Sequence, residues 1–413
     1  MDSFSIRNFG CRVNQAESFE WAEDFQKRGL RLDPEPGCGE LVIVNTCTLT
    51  GRADRDVRKF IRKVIRDNPT AKVVVTGCLA ERNPREFSGV PGIWKIIANG
   101  DKKFLAERLL PGRKCVADRE ARPYRARALL KVQDGCNMAC SFCVIPGVRG
   151  RSVSVPEAEV LGRIESLARR GYKEIVLTGI HLCSYGGDWE PRSSLLDLLR
   201  GVEGRAGDFK VRLSSLDPRL LPGPLINRLA ASGRIQPHFH LSLQHGSEKV
   251  LKAMGRSGTI SAYRDIMDHL RMSAPRAALG ADVIVGFPGE TDDDFRATEK
   301  FLGESPLAYF HVFSFSPRPG TPAAAMKPVD EKTKNGRAAR LRKLSQRKNA
   351  AFRARFSSEI LDGVVIERTV RGADVLTANY ISVAVPDCSA RKGDAVKVKI
   401  IRVTDKTTEG KVV

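Results

Sequence analysis

The chain has 413 residues, of which 42% are hydrophobic and 28% are charged, and this composition excludes a disordered or collagen-like protein. At about 100–200 residues per domain, the length predicts two to four domains. No apolar run reaches the roughly 18 residues that a membrane-spanning helix needs, and the N-terminus does not resemble a signal peptide. We therefore expect a cytoplasmic protein that does not contact a membrane.

The charge is strongly positive. Lysine and arginine number 69 against 48 aspartates and glutamates, which gives a formal net charge of +21 at pH 7. Such an excess favours a polyanionic partner, although an effect on solubility alone gives the same sign. Residues 331–356 hold ten of the basic residues and one acid, and their pattern predicts a helix. Its basic face either is solvated or faces nucleic acid.

The first 115 residues alternate between strand and helix patterns, which predicts a parallel α/β sheet. Strands are expected over residues 4–10, 41–46 and 72–77, and helices over 14–28 and 52–67. Each strand is followed by a cysteine, namely Cys11, Cys47 and Cys78. Ligands of open α/β sheets bind beyond the carboxyl ends of the strands, so these thiols are expected to share a site. Three separate core cysteines are the alternative.

A second α/β series follows a predicted connection at residues 100–126, which contain proline, glycine and many arginines. Its strands are expected over residues 128–133, 174–179, 209–214, 238–243, 280–286 and 309–315, with helices between them, for example over 156–170 and 292–302. Six such strands predict a partial parallel barrel with its function at the strand C-termini. Residues 357–413 predict a small β domain, and five-stranded barrels of this size often bind oligonucleotides.

The strongest local motif is Cys136-x3-Cys140-x2-Cys143, directly after the first strand of the second series. The chain has ten cysteines and no export signal, so metal or cluster ligation is favoured over disulfides. Three thiolates suit a [4Fe–4S] cluster whose fourth iron stays open to another ligand. Zinc is the alternative, but no fourth cysteine or histidine follows nearby.

This motif, with Phe142 before its last cysteine, resembles the signature of radical S-adenosylmethionine (SAM) enzymes. The segments around Cys11, Cys47 and Cys78 are similar to those of the methylthiotransferases within that superfamily. Residues 357–413 resemble the TRAM RNA-binding module. Further similar segments are 178–182, 212–215, 238–244, 282–290 and 320–324. The resemblance therefore covers essentially the whole chain.

The resemblance implies an α/β fold in three domains. These are a methylthiotransferase N-terminal parallel α/β domain (residues 1–115), a radical SAM partial (βα)6 barrel (125–350) and a small TRAM, OB-like β-barrel (351–413). It also implies SAM and two [4Fe–4S] clusters. The implied ligands are Cys136, Cys140 and Cys143 for the radical SAM cluster, and Cys11, Cys47 and Cys78 for the auxiliary cluster. The implied SAM contacts are Phe142, Gly179, Ser215 and Gln244.

Within the family, the segments 13–15 and 179–182 most resemble the MtaB branch. This branch adds a methylthio group to C2 of N6-threonylcarbamoyladenosine at position 37 of tRNA. By resemblance, SAM cleavage yields a 5′-deoxyadenosyl radical that removes hydrogen from C2, and the auxiliary cluster carries the sulfur. The alternatives are the MiaB branch, acting on isopentenyladenosine, and the RimO branch, acting on a ribosomal-protein aspartate. An RNA-binding iron–sulfur sensor without turnover is the alternative outside enzymes.

The implied partners are tRNA, bound near its anticodon loop, and an electron donor such as flavodoxin or ferredoxin. The protein is expected to act as a monomer. The positive charge fits the first partner, because lysine and arginine neutralise phosphates. A base of the anticodon loop is already accessible, so moving it to a reactive centre costs little.

Overall fold

The computed structural model describes residues 1–116 and 124–413, so residues 117–123 of the predicted connection lie outside the described part. The N-terminal unit consists of β1 (Ser3–Asn8), α1 (Arg12–Lys27), β2 (Arg31–Leu32), β3 (Leu41–Thr46), α2 (Gly51–Asp67), β4 (Lys72–Gly77), α3 (Cys78–Arg82), α4 (Pro84–Phe87), β5 (Ile93–Ile97) and α5 (Leu105–Leu109). The strands pair in parallel in the order β2-β1-β3-β4-β5. The predicted parallel sheet is confirmed.

Strands β3 and β4 are apolar on both faces because helices cover both sides of the sheet. Ile43 and Val74 belong to one buried cluster, and Val44 and Val75 belong to the cluster on the opposite face. The prediction that residues 100–126 are only a connection is wrong at its start. A 3-10 helix and α5 lie there, and the apolar side of α5 is buried in the sheet's core.

The central unit consists of β6 (Ala128–Asp134), α6 (Ile145–Arg149), β7 (Val153–Ser154), α7 (Glu157–Arg169), β8 (Glu174–Gly179), α8 (Leu195–Glu203), β9 (Lys210–Leu213), α9 (Gly223–Ala231), β10 (His238–Gln244), α10 (Glu248–Ala253), α11 (Ile260–Ser273), β11 (Ala278–Val285), α12 (Asp292–Glu304), β12 (Tyr309–Ser314) and α13 (Glu331–Ala354). Sheet β7-β6-β8-β9 and sheet β10-β11-β12 are joined by two isolated parallel bridges, Val211–Ile235 and Leu216–Leu241. The six predicted strands therefore form an open, partial barrel.

The barrel strands alternate between an apolar outer face and a polar inner face. On β10, Phe239, Leu241 and Leu243 are buried in the main core, which includes the surrounding helices. The residues between them are His238, His240, Ser242 and Gln244. This two-residue period places the polar set on the opposite, inward face. The chamber inside the barrel is consequently lined by groups that can form hydrogen bonds.

The C-terminal unit is a closed barrel. Its strands are β13 (Ile360–Thr369), β14 (Gly372–Thr377), β15 (Ser382–Pro386), β16 (Ala395–Val403) and β17 (Thr408–Val412), in the order β13-β14-β15-β17-β16. The predicted five-stranded barrel is thus confirmed. Closure removes the exposed strand edges that a small sheet would otherwise present. In the described part of the chain, no helix is long and apolar enough to cross a bilayer.

The C-terminal barrel packs against the end of the central barrel at which strand β10 begins, called the lower end below. Arg212, buried on β9, binds Glu174 of β8 through two bonds of 2.7 and 2.8 Å and donates to the Ala378 carbonyl at 3.1 Å. Two residues further on, the ring of Tyr380 stacks on His238 with a centroid separation of 3.8 Å. The turn between β14 and β15 therefore forms part of the wall of the chamber.

Helix α13 confirms the predicted helix, but some of its basic side chains are buried and the others are not. Of the ten basic residues in 331–356, Lys334, Arg337 and Arg353 are buried, whereas the other seven are not. Arg353 donates to carbonyl oxygens of the turn between β16 and β17, for example Thr404 at 2.9 Å and Thr407 at 2.7 Å. Because these three side chains are buried, they are not available to a polyanion.

Candidate active site with two cysteine triads

The first triad, Cys136, Cys140 and Cys143, lies in the loop between β6 and α6. The Cys143 N–H donates to the Cys140 carbonyl at 3.1 Å, which folds the loop back on itself. Gly135 has a φ of +66°, and a Cβ there would lie 1.9 Å from the Arg151 carbonyl oxygen. Only glycine fits immediately before the first cysteine of the triad.

The thiols of this triad influence one another. Burial, together with the neighbouring Cys140 and Cys136, raises the pKa of Cys143 to about 11. Burial also raises the pKa of Cys136, with Cys140 contributing in the same direction. The three sulfurs are therefore close enough to interact, and no disulfide joins them.

The second triad, Cys11, Cys47 and Cys78, gathers thiols that are far apart in the sequence. Cys11 precedes α1, Cys47 follows β3, and Cys78 begins α3. A Cβ at Gly10 would lie 2.7 Å from the Cys47 sulfur, so glycine allows Cys47 to approach the Cys11 loop. Burial raises the pKa of Cys47 to about 12, and Cys11 and Cys78 add to the increase. The expected convergence of these thiols at one edge of the sheet is therefore observed.

The spacing of the sulfurs argues against a single zinc ion in either triad. With Zn–S bonds of about 2.3 Å, three sulfurs on one zinc ion lie no more than about 4.6 Å apart. Among the described residues, neither triad brings all three sulfurs within 4.8 Å of one another. Thiolates that converge at a wider spacing fit a multi-iron cluster, in which each sulfur binds a different iron.

One short helix separates the two triads. Helix α6 begins two residues after Cys143, and at its end the Arg149 Nε donates to the Cys78 sulfur at 3.3 Å. A buried apolar cluster and its partly buried neighbours lie between the triads: Cys78, Ile145 and Val148, with Cys136, Cys143 and Ile180 packed against them. The two sites are therefore neighbours, separated by a thin apolar layer.

Arg149 is the centre of a buried charge network beside the second triad. Its side chain is 1% exposed and contacts Glu17 at 3.0 Å and Asp134 at 2.8 Å. Lys102 and Lys131 also bind Glu17, at 2.9 and 3.4 Å. Burial raises the pKa of Glu17, but the surrounding cations outweigh it and hold the pKa well below its usual range. Burial raises the pKa of Cys11, and Arg149 partly offsets this increase.

We expect Arg149→Met to lower the free energy of unfolding by about 3 kcal/mol, because it leaves buried carboxylates with fewer cations. Urea denaturation of the purified protein measures this change. Arg52→Met is the matched control, since Arg52 is 85% exposed and only weakly paired with Asp56. The control is expected to change stability by less than about 0.5 kcal/mol. Equal stability of the two variants would contradict the structural role of Arg149.

The four residues expected to contact SAM lie at the edge of the barrel where the first triad sits. Phe142 is within the triad, Gly179 ends β8, Ser215 follows β9, and Gln244 ends β10 with a φ of +76°. The Gly179 N–H donates to the Ser214 hydroxyl at 3.3 Å. The hydrogen bond across this edge is therefore made by Ser214, the neighbour of the predicted Ser215. The structure thus brings the four residues to one rim.

Sequence reasoning missed a buried ionic cluster on the same rim. Asp217 binds Arg219 at 2.6 Å, and both His181 and Arg256 at 3.2 Å. Arg256 also approaches the Cys140 sulfur at 4.0 Å. These partners hold the pKa of Asp217 far below its usual range, against the effect of burial. The only available signal was that Asp217 follows a predicted strand, as the functional residues of barrels do.

A groove connects the chamber with the basic helix. A cavity of about 730 Å³ lies between β12, α13 and the C-terminal barrel. Its lining includes Lys343 and Arg347 of α13, Lys406 of the C-terminal unit, and His311 and Tyr380, which also face the chamber. A polyanion in this groove would therefore pass directly beside the open edge of the barrel.

Comparison with known proteins agrees with this geometry. The Radical SAM superfamily matches residues 130–302, and the family described as Uncharacterized protein family UPF0004 matches residues 3–98. The Threonylcarbamoyladenosine tRNA methylthiotransferase MtaB of Aquifex aeolicus is 34% identical, over 97% of this chain and 99% of its own. The MtaB protein of Bacillus subtilis is also 34% identical, over 100% of this chain and 97% of its own.

Solved structures share the fold at low sequence identity. The radical SAM methyltransferase TsrM from Kitasatospora setae superposes with a TM-score of 0.56 at 16% identity, covering 78% of this chain and 77% of its own. The cobalamin-dependent radical SAM enzyme OxsB gives a TM-score of 0.51 at 10% identity, covering 74% of this chain and 52% of its own. With relatives aligned over nearly its full length, the chain belongs to the radical SAM methylthiotransferase family, among the MtaB proteins.

Proposed function

We propose that this protein adds a methylthio group to C2 of N6-threonylcarbamoyladenosine at position 37 of tRNA, with SAM and two [4Fe–4S] clusters. The observation that carries the proposal is the placement of the two cysteine triads at the two ends of one five-residue helix, with Cys143 just before its first residue and Cys78 in contact with its last. Insertion of sulfur into a C–H bond requires radical generation and sulfur delivery at the same carbon. Two adjacent cluster sites beside one chamber meet this requirement.

Cys136, Cys140 and Cys143 would hold one cluster, and Cys11, Cys47 and Cys78 would hold the other. When bound, these groups supply the electron that cleaves SAM and the sulfur that reaches the substrate. The chain itself supplies the environment. Ile145, Val148 and Ile180 pack between the two sites, and Arg149 places a positive charge against the second site.

Phe142, Gly179, Ser215 and Gln244 are proposed to contact SAM. The absence of a side chain at Gly179 allows Gln133 to pack closely against the rim, since a Cβ there would lie 2.9 Å from the Gln133 side-chain oxygen. The left-handed backbone at Gln244 ends β10 and turns the chain at the rim. The orienting task of these residues is to hold the reactive part of SAM toward the chamber.

The three proposed domains divide the remaining tasks. Residues 1–115 contribute the second triad, residues 125–350 the first triad and the chamber, and residues 351–413 the lower wall and part of the groove. We place the tRNA backbone near the anticodon loop along the groove, where lysines and arginines of α13 neutralise phosphates. A flavodoxin or ferredoxin is the proposed electron donor. We also propose a monomer that works in the cytoplasm, where its ten cysteines stay reduced.

The test is an anaerobic reaction of the reconstituted protein with SAM, dithionite and tRNA from a strain that lacks the methylthio modification. Nucleosides are then released and separated by mass. We expect 2-methylthio-N6-threonylcarbamoyladenosine, and no product when dithionite is omitted. Release of 5′-deoxyadenosine without a modified nucleoside would contradict the proposed substrate. Binding of tRNA without SAM cleavage would indicate a sensor instead of an enzyme.

A further inference from the structure

The inner face of the open barrel carries a polar cluster that neither cysteine triad uses. His240 of β10, Asp282 of β11 and His311 of β12 meet there because β11 pairs in parallel with both neighbours and Asp282 lies opposite His311. The His240 Nε2 lies 3.0 Å from an Asp282 carboxylate oxygen, and the two histidine rings are 5.3 Å apart. All three side chains offer nitrogen or oxygen atoms within 4.8 Å of one another.

A contact between the Tyr309 hydroxyl and Nδ1 fixes the orientation of the His240 ring. The Tyr309 hydroxyl lies 2.7 Å from the His238 Nε2 and 3.3 Å from the His240 Nδ1. Gly280 makes this contact possible, because a Cβ there would lie 2.6 Å from the Tyr309 hydroxyl and 2.8 Å from the His240 Nδ1. With its Nδ1 held by tyrosine, His240 directs its other nitrogen toward Asp282. The cluster is therefore built with defined donor and acceptor directions.

Arg12 adds a positive charge to the same region. It follows Cys11 directly, and its guanidinium donates to the Tyr380 hydroxyl at 2.7 Å. Within residues 1–116 and 124–413, it forms no ion pair with a carboxylate. His311 is the exposed member of the cluster, and partial desolvation, His240 and Arg12 lower its pKa, whereas Asp282 raises it. Within the described residues, Arg12 thus has no carboxylate partner and the His311 side chain forms no hydrogen bond, so both can bind a ligand that enters the chamber.

We propose that His240, Asp282 and His311, together with Arg12, recognise the polar N6 substituent of the target adenosine. This inference rests on the proposed function and names the residues that select its substrate. A threonylcarbamoyl group carries a carboxylate, which suits Arg12 and an imidazole N–H, and a hydroxyl, which suits Asp282. An isopentenyl group has no polar atom, so it would desolvate Arg12 and His311 without offering either of them a hydrogen-bond partner. The cluster therefore favours the polar substituent over the apolar one.

The test compares kcat/KM on two tRNAs that differ only in the N6 group of position 37, threonylcarbamoyl or isopentenyl. We expect His311→Phe to reduce the preference for threonylcarbamoyl by about 10- to 100-fold, mainly through a higher KM, as for a lost hydrogen bond to a charged group. His311→Gln keeps an N–H donor and is expected to lose less. His269→Phe is the matched control, since His269 bonds to Asn227 on α9 at 3.0 Å, outside the barrel.

Each outcome has a separate meaning. Equal losses on both tRNAs would assign His311 a structural role and overturn the inference. Elemental analysis of the reconstituted enzyme checks the competing reading, because one equivalent of zinc that disappears in His311→Phe would make the cluster a metal site. A wild-type enzyme that does not modify the threonylcarbamoyl tRNA would overturn the proposed function itself. A selective wild type with an equally selective variant would overturn only the inference.

Discussion

Cys140→Ala is expected to abolish both 5′-deoxyadenosine release and methylthio product. The sulfur of Cys140 belongs to the triad at the barrel rim, where it raises the pKa of both Cys143 and Cys136, and Arg256 lies 4.0 Å away. Removal of this proposed ligand would leave the first cluster with two thiolates. The loss should therefore exceed the roughly 10- to 100-fold decrease typical of residues that only support a ligand.

Chromatography of the reaction mixture measures 5′-deoxyadenosine, and chemical analysis measures iron. Two [4Fe–4S] clusters correspond to about eight irons per chain, and the variant should retain about four. Cys115→Ala is the matched control because Cys115 is an exposed cysteine outside both triads. Release of 5′-deoxyadenosine at the wild-type rate by Cys140→Ala would remove this triad from SAM cleavage.

Cys47→Ala is expected to separate the two halves of the reaction. The second triad belongs to the N-terminal sheet, and the apolar layer around α6 lies between it and the first triad. SAM cleavage should therefore continue, within about tenfold of the wild-type rate, because the ligands of the first cluster are intact. The methylthio nucleoside should be absent, because the sulfur has no cluster to carry it.

The measurements for this variant are 5′-deoxyadenosine and methylthio nucleoside from the same reaction. Iron should again fall to about four per chain, as for Cys140→Ala. SAM cleavage, however, should continue in Cys47→Ala. A variant that still forms the methylthio nucleoside would remove the second triad from sulfur delivery. Loss of both products would show that SAM cleavage depends on the second site.

Much of the fold was predictable because its main strands are strongly patterned. Apolar runs bounded by turn residues located β3 and β4 to the residue and the six barrel strands to within two residues. Strand β5 and helix α5 were missed, since both are five residues long and too short to display a period. Their stability comes from packing against the first sheet, which a local pattern does not reveal.

The cysteines of the site were predictable, whereas the side chains that support them were not. Thiols next to strand ends have a known place in an α/β sheet, so their convergence follows from topology. Arg149 is 132 residues from Glu17 in sequence, and Arg256 is 39 residues from Asp217. Nothing in the local sequence indicates such pairs. The positive charge of α13 also overstates the number of side chains that can contact nucleic acid, because three of its basic side chains are buried.

The contacts of Tyr380 with His238 and Arg12 make the C-terminal barrel part of the chamber wall. A β-barrel that only tethered RNA could be removed with a loss of affinity alone. Here its β14–β15 turn stacks on a barrel strand and hydrogen-bonds to the residue after Cys11. Removing it would uncover the base of the chamber and admit solvent to the place where a short-lived radical must be protected. The C-terminal unit is therefore a structural part of the chamber wall.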